Sequence, residues 1–326
     1  MMRRRPRVLT WHVHGNYLYY LTQADCDFFL PVADGKSGYS GRSGSFPWGR
    51  NVIEVPADEV RHLDIDCVIY QSRDNYLRDQ HEILSEAQRR LPRIFIEHDP
   101  PRESPTDTRH VVDDPEVLLV HVTHFNALMW DSGRTPTRII PHGVLVPDGV
   151  RYTGTKPKGI VVINNLATRG RRLGLDVYQY VSRHVPLDLV GMGSKNLGGL
   201  GEIPQKDLPA FMAEYRFFFN PIRYTSLGLA VCEAMTVGLP IVGLATTEMP
   251  VTVVNGESGW VDTNVDRLIG RMKSLLEDPA AARRLGEGAR RHALAAFNIE
   301  RFANDWLDTV NEVTGQAGMA RAEGAQ

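Results

Sequence analysis

The feature that most constrains this chain is an alternation. Short, nearly continuous runs of Val, Ile and Leu are separated by longer stretches in which apolar residues recur at helical spacing. The short runs fall at residues 7–13, 67–71, 93–97, 117–122 and 137–140, and again at 159–163, 187–191, 217–220 and 240–244. Helical patterns lie between them, for example over 77–91 and 227–237. A strand covered on both faces has no polar side to alternate, and strands joined through helices run parallel. The pattern therefore predicts an α/β chain built on doubly wound parallel sheets. Its 326 residues suffice for about two domains. The break is expected at 147–158, a segment with two prolines and few apolar residues that leads straight into a fresh strand. This gives a first domain over 1–150, a second over 151–297, a helix over 298–313 and a frayed Gly/Ala-rich tail over 314–326.

Composition narrows the function classes. With 42% hydrophobic and 23% charged residues the chain is an ordinary globular protein. A net charge of −2 supplies no global field for a polyanion and argues against general nucleic-acid binding. Cys26, Cys67 and Cys232 lie too far apart for a metal or redox motif and read as small side chains of a reduced compartment. Arg3, Arg4, Arg5 and Arg7 precede Trp11-His12-Val13-His14 rather than an apolar signal core. No run approaches the roughly 18 apolar residues that would span a membrane, so a cytoplasmic location is expected. Those arginines would suit contact with anionic lipid at the inner face of a membrane, or would simply be solvated. Two metal readings fail. His12 and His14 alternate on a strand without a third ligand, and Asp64-Ile65-Asp66 precedes a strand instead of following one.

The richest segment is 221–235. A strand feeds a loop in which Ser226 is placed to cap a helix beginning at Leu227. The amides of Leu227, Gly228 and Leu229 would then form an anion site suited to a diphosphate, with no Cβ on Gly228 to block approach. Glu233 falls further along that helix, where its carboxylate would accept hydrogen bonds from sugar hydroxyls. The competing reading is a plain helix bearing a surface glutamate. Loop 164–172 carries Arg169, Arg171 and Arg172, which would either pair with phosphate or form a solvated turn. Loop 35–49, rich in Gly, Ser and aromatics, offers Tyr39 and Trp48 for stacking on a sugar ring, or for simple packing.

Asn220 to Gly238, continued by Leu239-Pro240-Ile241-Val242, resembles the signature of glycosyltransferase family 4. Supporting resemblances follow in chain order at Pro141-His142-Gly143, Gly191-Met192-Gly193, Asn255-Gly256-Glu257-Ser258-Gly259 and Phe297-Asn298-Ile299. The match is good over about 137–312 and loose before it. The resemblance implies a GT-B fold, with two Rossmann-like domains facing a cleft and a final helix returning to the first. It also implies a retaining, metal-independent enzyme that uses a nucleoside diphosphate sugar as co-substrate and no cofactor. Carried over residue by residue, Glu233 matches the glutamate that holds the ribose, while the glutamate that holds the transferred sugar falls on Thr225. A neutral threonine cannot accept two strong hydrogen bonds as a carboxylate does. Asn165 and Arg171 fall on the Arg and Lys that clamp the diphosphate, with Arg169 and Arg172 as near substitutes. Gly191 lies in the glycine loop, His98 matches a histidine beside the donor sugar, and Gly15 and Asn16 match a glycine-containing loop against the donor phosphates.

The expected function is sugar transfer to a hydroxyl acceptor (a growing glycan, a lipid-linked acceptor or a small molecule), with Tyr39 and Trp48 on the acceptor side. Two alternatives stand beside it: a nucleotide-sugar-binding or scaffold protein whose catalysis has degenerated, to which Thr225 points, and a nucleotide-sugar epimerase of the same fold.

Overall fold

A computed structural model describes residues 4–315. Arg3 and the expected tail beyond Gly315 lie outside the described residues. The chain divides into two compact units, one formed by residues up to Gly143 together with the chain from Ile299, the other by Val144–Asn298. The division thus falls at Gly143/Val144, ahead of the expected break at 150.

The first unit holds seven strands: β1 (Arg7–Thr10), β2 (Asp27–Val32), β3 (Val52–Pro56), β4 (Cys67–Tyr70), β5 (Arg93–Glu97), β6 (Val117–His121) and β7 (Thr137–Ile139). Their order is β3-β2-β1-β4-β5-β6-β7, and every pairing is parallel. β2 and β3 escape the sequence pattern. β2 contains Pro31, which cannot donate to a ladder. It is tolerated because β1 pairs only as far as Phe29, so Pro31 is paired on the β3 side alone. β3 is an edge strand with its middle residues exposed, and it lacks the continuous apolar run.

The helix expected over 77–91 is broken into a wide turn at Asn75–Asp79, a short helix at Gln80–Ile83 and a tight turn at Gln88–Arg90. Buried amides account for this. Tyr70 Oη donates to Gln80 Oε1 at 2.8 Å, and Gln88 Nε2 donates to the carbonyls of Val60 and Leu63, both at 2.9 Å. These long-range bonds fix the segment more strongly than its weak helical period.

Helix Ile299–Val313 completes this unit. Its Phe302 and Trp306 are fully buried, and Phe302 meets the edge of Tyr17, on helix Gly15–Leu21, at 5.6 Å. Arg301 ties the helix to the carbonyls of Pro141 and His142 at 2.8 and 2.6 Å. The second unit holds β8 (Lys156–Val162), β9 (Leu187–Val190), β10 (Tyr215–Asn220), β11 (Ile241–Leu244) and β12 (Gly259–Asp262). These are again all parallel, in the order β12-β11-β10-β8-β9. Every residue of β10 is buried, as a central strand requires. The edge strand β12, short and with alternating burial, was absent from the apolar pattern. The two sheets bear out the α/β expectation.

Helix Pro279–Ala296 lies against turns of this second unit so closely that a Cβ at Gly288 would overlap the Glu257 carbonyl. Gly288→Ala is expected to destabilise the unit by about 1–3 kcal/mol through overpacking. Gly270 lies exposed inside helix Val265–Glu277 with open space beside it, so Gly270→Ala is expected to stabilise by roughly 0.5–1 kcal/mol. Urea midpoints of the two variants, moving in opposite directions, check both.

Candidate functional site

In an open parallel sheet, the crevice for a ligand opens at the carboxyl ends of the two strands from which the chain leaves in opposite directions. In the second unit that point lies between β8 and β10. The loop after β8 contains Asn164 and Asn165, the loop after β9 contains Gly191, and the loop after β10 runs from Pro221 to Gly228. The first two interlock. Asn164 Oδ1 accepts from the Met192 amide at 2.8 Å, and the Asn165 amide donates to the Met192 carbonyl at 2.7 Å. Asn165 adopts a left-handed backbone, φ 54°, which asparagine tolerates better than most residues.

The arginine loop and the signature loop are joined chiefly through Arg223. Its amide and that of Tyr224 donate to the Arg172 carbonyl at 3.1 and 3.2 Å, and its Nη1 donates to the Arg171 carbonyl at 2.8 Å. Its guanidinium also grips Asp176 with both nitrogens, at 2.5 and 2.8 Å. Arg171 reaches the same carboxylate at 2.5 Å. The hydrogen bond from Arg223 holds the Asp176 carboxyl below its usual range, so it is an anion at neutral pH. Gly174, at φ +82°, lets this loop pass against the Pro221 carbonyl, where any side chain would collide. Arg171 remains exposed, and Arg169 and Arg172 are half-buried beside it.

The helix after the signature loop begins at Leu229, not Leu227, and runs to Val237. Gly228 is its cap, and no side chain caps it. Ser226 and Leu227 are buried instead, which corrects the expected serine cap and moves the free amides to Leu229 and Ala230. Open space surrounds the position a Cβ on Gly228 would take. Thr225 lies half-buried in the bend before it. Glu233 is not a surface glutamate: it is fully buried, and its Oε1 accepts from Gln205 Nε2 at 2.9 Å. Gln205, Asp176 and Arg223 all escaped the sequence reading, because their partners are remote along the chain and no local pattern marks them.

In the first unit the corresponding point lies between β1 and β4. Gly15 opens helix Gly15–Leu21 with Asn16 next to it, and a Cβ on Gly15 would press on His12 and Phe46. His98 follows β5, and its ring meets those of His14 at 4.3 Å and Tyr17 at 4.6 Å. The structure therefore brings His98 beside the segment that carries Gly15 and Asn16. His98 Nε2 is enclosed without a hydrogen-bond partner. Burial first, and then the neighbouring His14 and His142, push its pKa well below the usual imidazole value, so its ring is neutral.

The acceptor expectation fares differently at its two residues. Tyr39 is only 1% exposed, sits in the core of its unit and has Lys36 Nζ 4.1 Å over its ring, so no face is left for a sugar. Trp48 is half-buried in a cluster with His12, Tyr19 and Phe46 at 5.3–5.8 Å. The basic N-terminus is also engaged: Arg4 and Arg7 pair with Asp64 at 2.8 Å, and Arg5 pairs with Asp25 at 2.6 Å. Among the described residues no helix is long and apolar enough to cross a membrane.

Residues 192–292 match the family model described as glycosyl transferases group 1. The chain is 38% identical to an O-antigen chain mannosyltransferase B of Escherichia coli over 24% of its own length and 21% of that protein. It is 29% identical to a glycogen synthase of Mycobacterium tuberculosis over 38% of its length and 29% of that protein. The chain thus spans less than a third of either relative. Among solved structures, sucrose-phosphate synthase from Thermosynechococcus elongatus superposes with a TM-score of 0.69 at 15% identity, covering 96% of this chain and 100% of that one. Anabaena Alr3699/HepE in complex with UDP and glucose gives 0.66 at 14%, covering 94% and 100%. The fold is that of the GT-B glycosyltransferases.

Buried histidines make the first unit less stable in acid. His121 at the end of β6 is fully buried, and burial, with the charge of His110, pushes its pKa down to about 4. The unfolded chain takes up this proton near 6.5 while the fold excludes it, so stability is complete above that pH. It falls as pH drops towards 4, by up to about 1.4 kcal/mol per pH unit for each such group. Urea midpoints between about pH 7 and pH 5 are expected to fall, and His121→Asn is expected to flatten the slope.

Proposed function

We propose that this protein is a glycosyltransferase that moves a sugar from a UDP- or GDP-linked donor to a hydroxyl acceptor with retention of configuration and without a metal ion. One observation carries the reading. The amide end of helix Leu229–Val237, open at Gly228, the arginines of the loop after β8 and the buried Glu233 of the same helix all belong to elements at one switch point. The group 1 match over residues 192–292 and relatives described as mannosyltransferase and glycogen synthase support it, as does a structural neighbour solved with UDP and glucose.

The chemistry requires a home for the charge on a departing diphosphate. The amides of Leu229 and Ala230 and the guanidiniums of Arg171, Arg172 and Arg169 would supply it, each well-placed contact lowering the barrier by about 3 kcal/mol. Glu233 would hold the ribose hydroxyls. In the structure Glu233 is fully buried and Gln205 donates to its carboxylate, so a ribose hydroxyl would reach it only by displacing Gln205. Asn165 and Gly191 would shape the floor. In the first unit, a neutral, half-buried His98 would contact the donor sugar near the reacting carbon, with Gly15 and Asn16 towards the phosphates. No residue is assigned as a covalent nucleophile; the leaving phosphate itself would take the acceptor's proton. Trp48 remains the acceptor-side aromatic, and Tyr39 is withdrawn from that role.

A second reading is favoured by Thr225 and by the engagement of Arg171 with Asp176: binding of a nucleotide sugar with little turnover. A melting screen with UDP, GDP, ADP and dTDP identifies the base. Slow hydrolysis of the matching donor then supports the enzyme, whereas an inert bound donor supports the binding protein. Glu233→Gln keeps the shape of the buried side chain. It is expected to weaken nucleotide binding by about tenfold or more, as loss of a charge-assisted hydrogen bond does. Replacing both Arg171 and Arg172 by Ala is expected to lower kcat by about a hundredfold. Parent-like transfer by both variants would remove the site from this place.

A further inference from the structure

The amino-terminal edge of the second sheet carries a feature that the transfer reaction does not use. Two adjoining cavities, of 430 and 180 Å³, share Tyr152, Arg283 and Glu287 and lie between the segment at 151–154 and helix Pro279–Ala296. The larger falls within the range usual for small-ligand sites. The groove borders Val237 and Gly238, which precede β11, so it lies at the edge of the sheet opposite to the loops after β8 and β10. Four arginines line it: Arg151, Arg283, Arg284 and Arg290. Glu287 is the one carboxylate in the lining, and among the described residues none of the four arginines forms an ion pair. Arg171 and Arg223, by contrast, share Asp176, and Arg4 and Arg7 share Asp64.

Arg151, Arg283 and Arg284 are exposed, so solvent screens their mutual repulsion and leaves them open to a counter-charge. Arg290 is partly buried, donates to the Thr236 carbonyl, and is made less basic by burial and by the charge of Arg151. Tyr152 holds the groove's shape: its amide donates to the Val237 carbonyl at 3.1 Å and its hydroxyl to the Arg216 carbonyl at 2.9 Å. The Arg283 guanidinium sits 5.9 Å from the Tyr152 ring centroid. Guanidiniums arranged around one concavity match the oxygens of a phosphoryl group and pair with it in a forked geometry.

We propose that this groove is an anion site that takes a phosphoryl group, presented by a soluble phosphate or by a phospholipid headgroup. Full-length protein is titrated calorimetrically with inorganic phosphate and pyrophosphate, and sedimented with phosphatidylcholine vesicles with and without phosphatidic acid. The same measurements are made on the Arg283→Ala/Arg284→Ala variant, whose substitutions fall on exposed helix positions, and on Arg284→Glu as a second variant. The parent is expected to bind at least one probe, with affinity falling at least tenfold in the double variant and further with added salt. Binding of soluble phosphate alone identifies a soluble ligand; binding of phosphatidic acid vesicles alone identifies a headgroup. Because the double variant keeps residues 164–229 and Glu233 intact, pyrophosphate held at the donor site persists in it and is subtracted. Equal binding by parent and both variants, or no binding of any probe by the parent, overturns the proposal.

Discussion

Both sheets are wholly parallel, and that constraint determines everything else about this protein. A parallel strand cannot be joined to its neighbour by a tight turn, so each pair needs a crossover. All the loops that leave strand carboxyl ends therefore gather at one edge of each sheet. The second unit uses this edge economically. Residues far apart in sequence, Asn164 with Met192 and Arg172 with Arg223, reach one another because their strands end together. These bonds use backbone groups and one short amide side chain, so they depend on register rather than on a long reach.

Within that edge, the Asp176–Arg223 pair has a distinct physical role. It holds a cation-rich loop against the signature loop while leaving Arg171 exposed to solvent. A carboxylate between two guanidiniums lowers their mutual repulsion and fixes their spacing, and both effects favour preorganised binding of an anion. Gln205 acts comparably on Glu233, since a fully buried carboxylate requires hydrogen bonds. The polar arrangement of this unit is thus largely complete before any ligand enters.

What the sequence made legible follows the same physics. Strands β4, β5, β6, β8 and β10 lie inside the sheets and read directly as apolar runs. β2 was hidden by Pro31, and β3 and β12 by their edge positions, where continuous apolarity is unnecessary. The helix at 227–237 was recognised, but its start was misplaced because a buried Ser226 looks, in sequence, identical to a capping one. Gly228, Glu233 and the arginines were visible as types in a pattern. Asp176, Arg223 and Gln205 were not, because a contact between remote residues leaves no local trace. Tyr39 misled for the opposite reason: a glycine-rich loop implies exposure, yet its tyrosine folds inward under Lys36.

The helix Ile299–Val313 belongs to the same unit as β1–β7, although the whole of the other unit, Val144–Asn298, separates it from them in sequence. Its Phe302 and Trp306 fill the core beside Tyr17, so that core stays open until the chain has been made as far as Val313. The unit at Val144–Asn298 is contiguous and can close as soon as it emerges. Maturation during synthesis accordingly runs in reverse of chain order, and a nascent chain stalled short of Ile299 would expose an unsealed aromatic surface to chaperones.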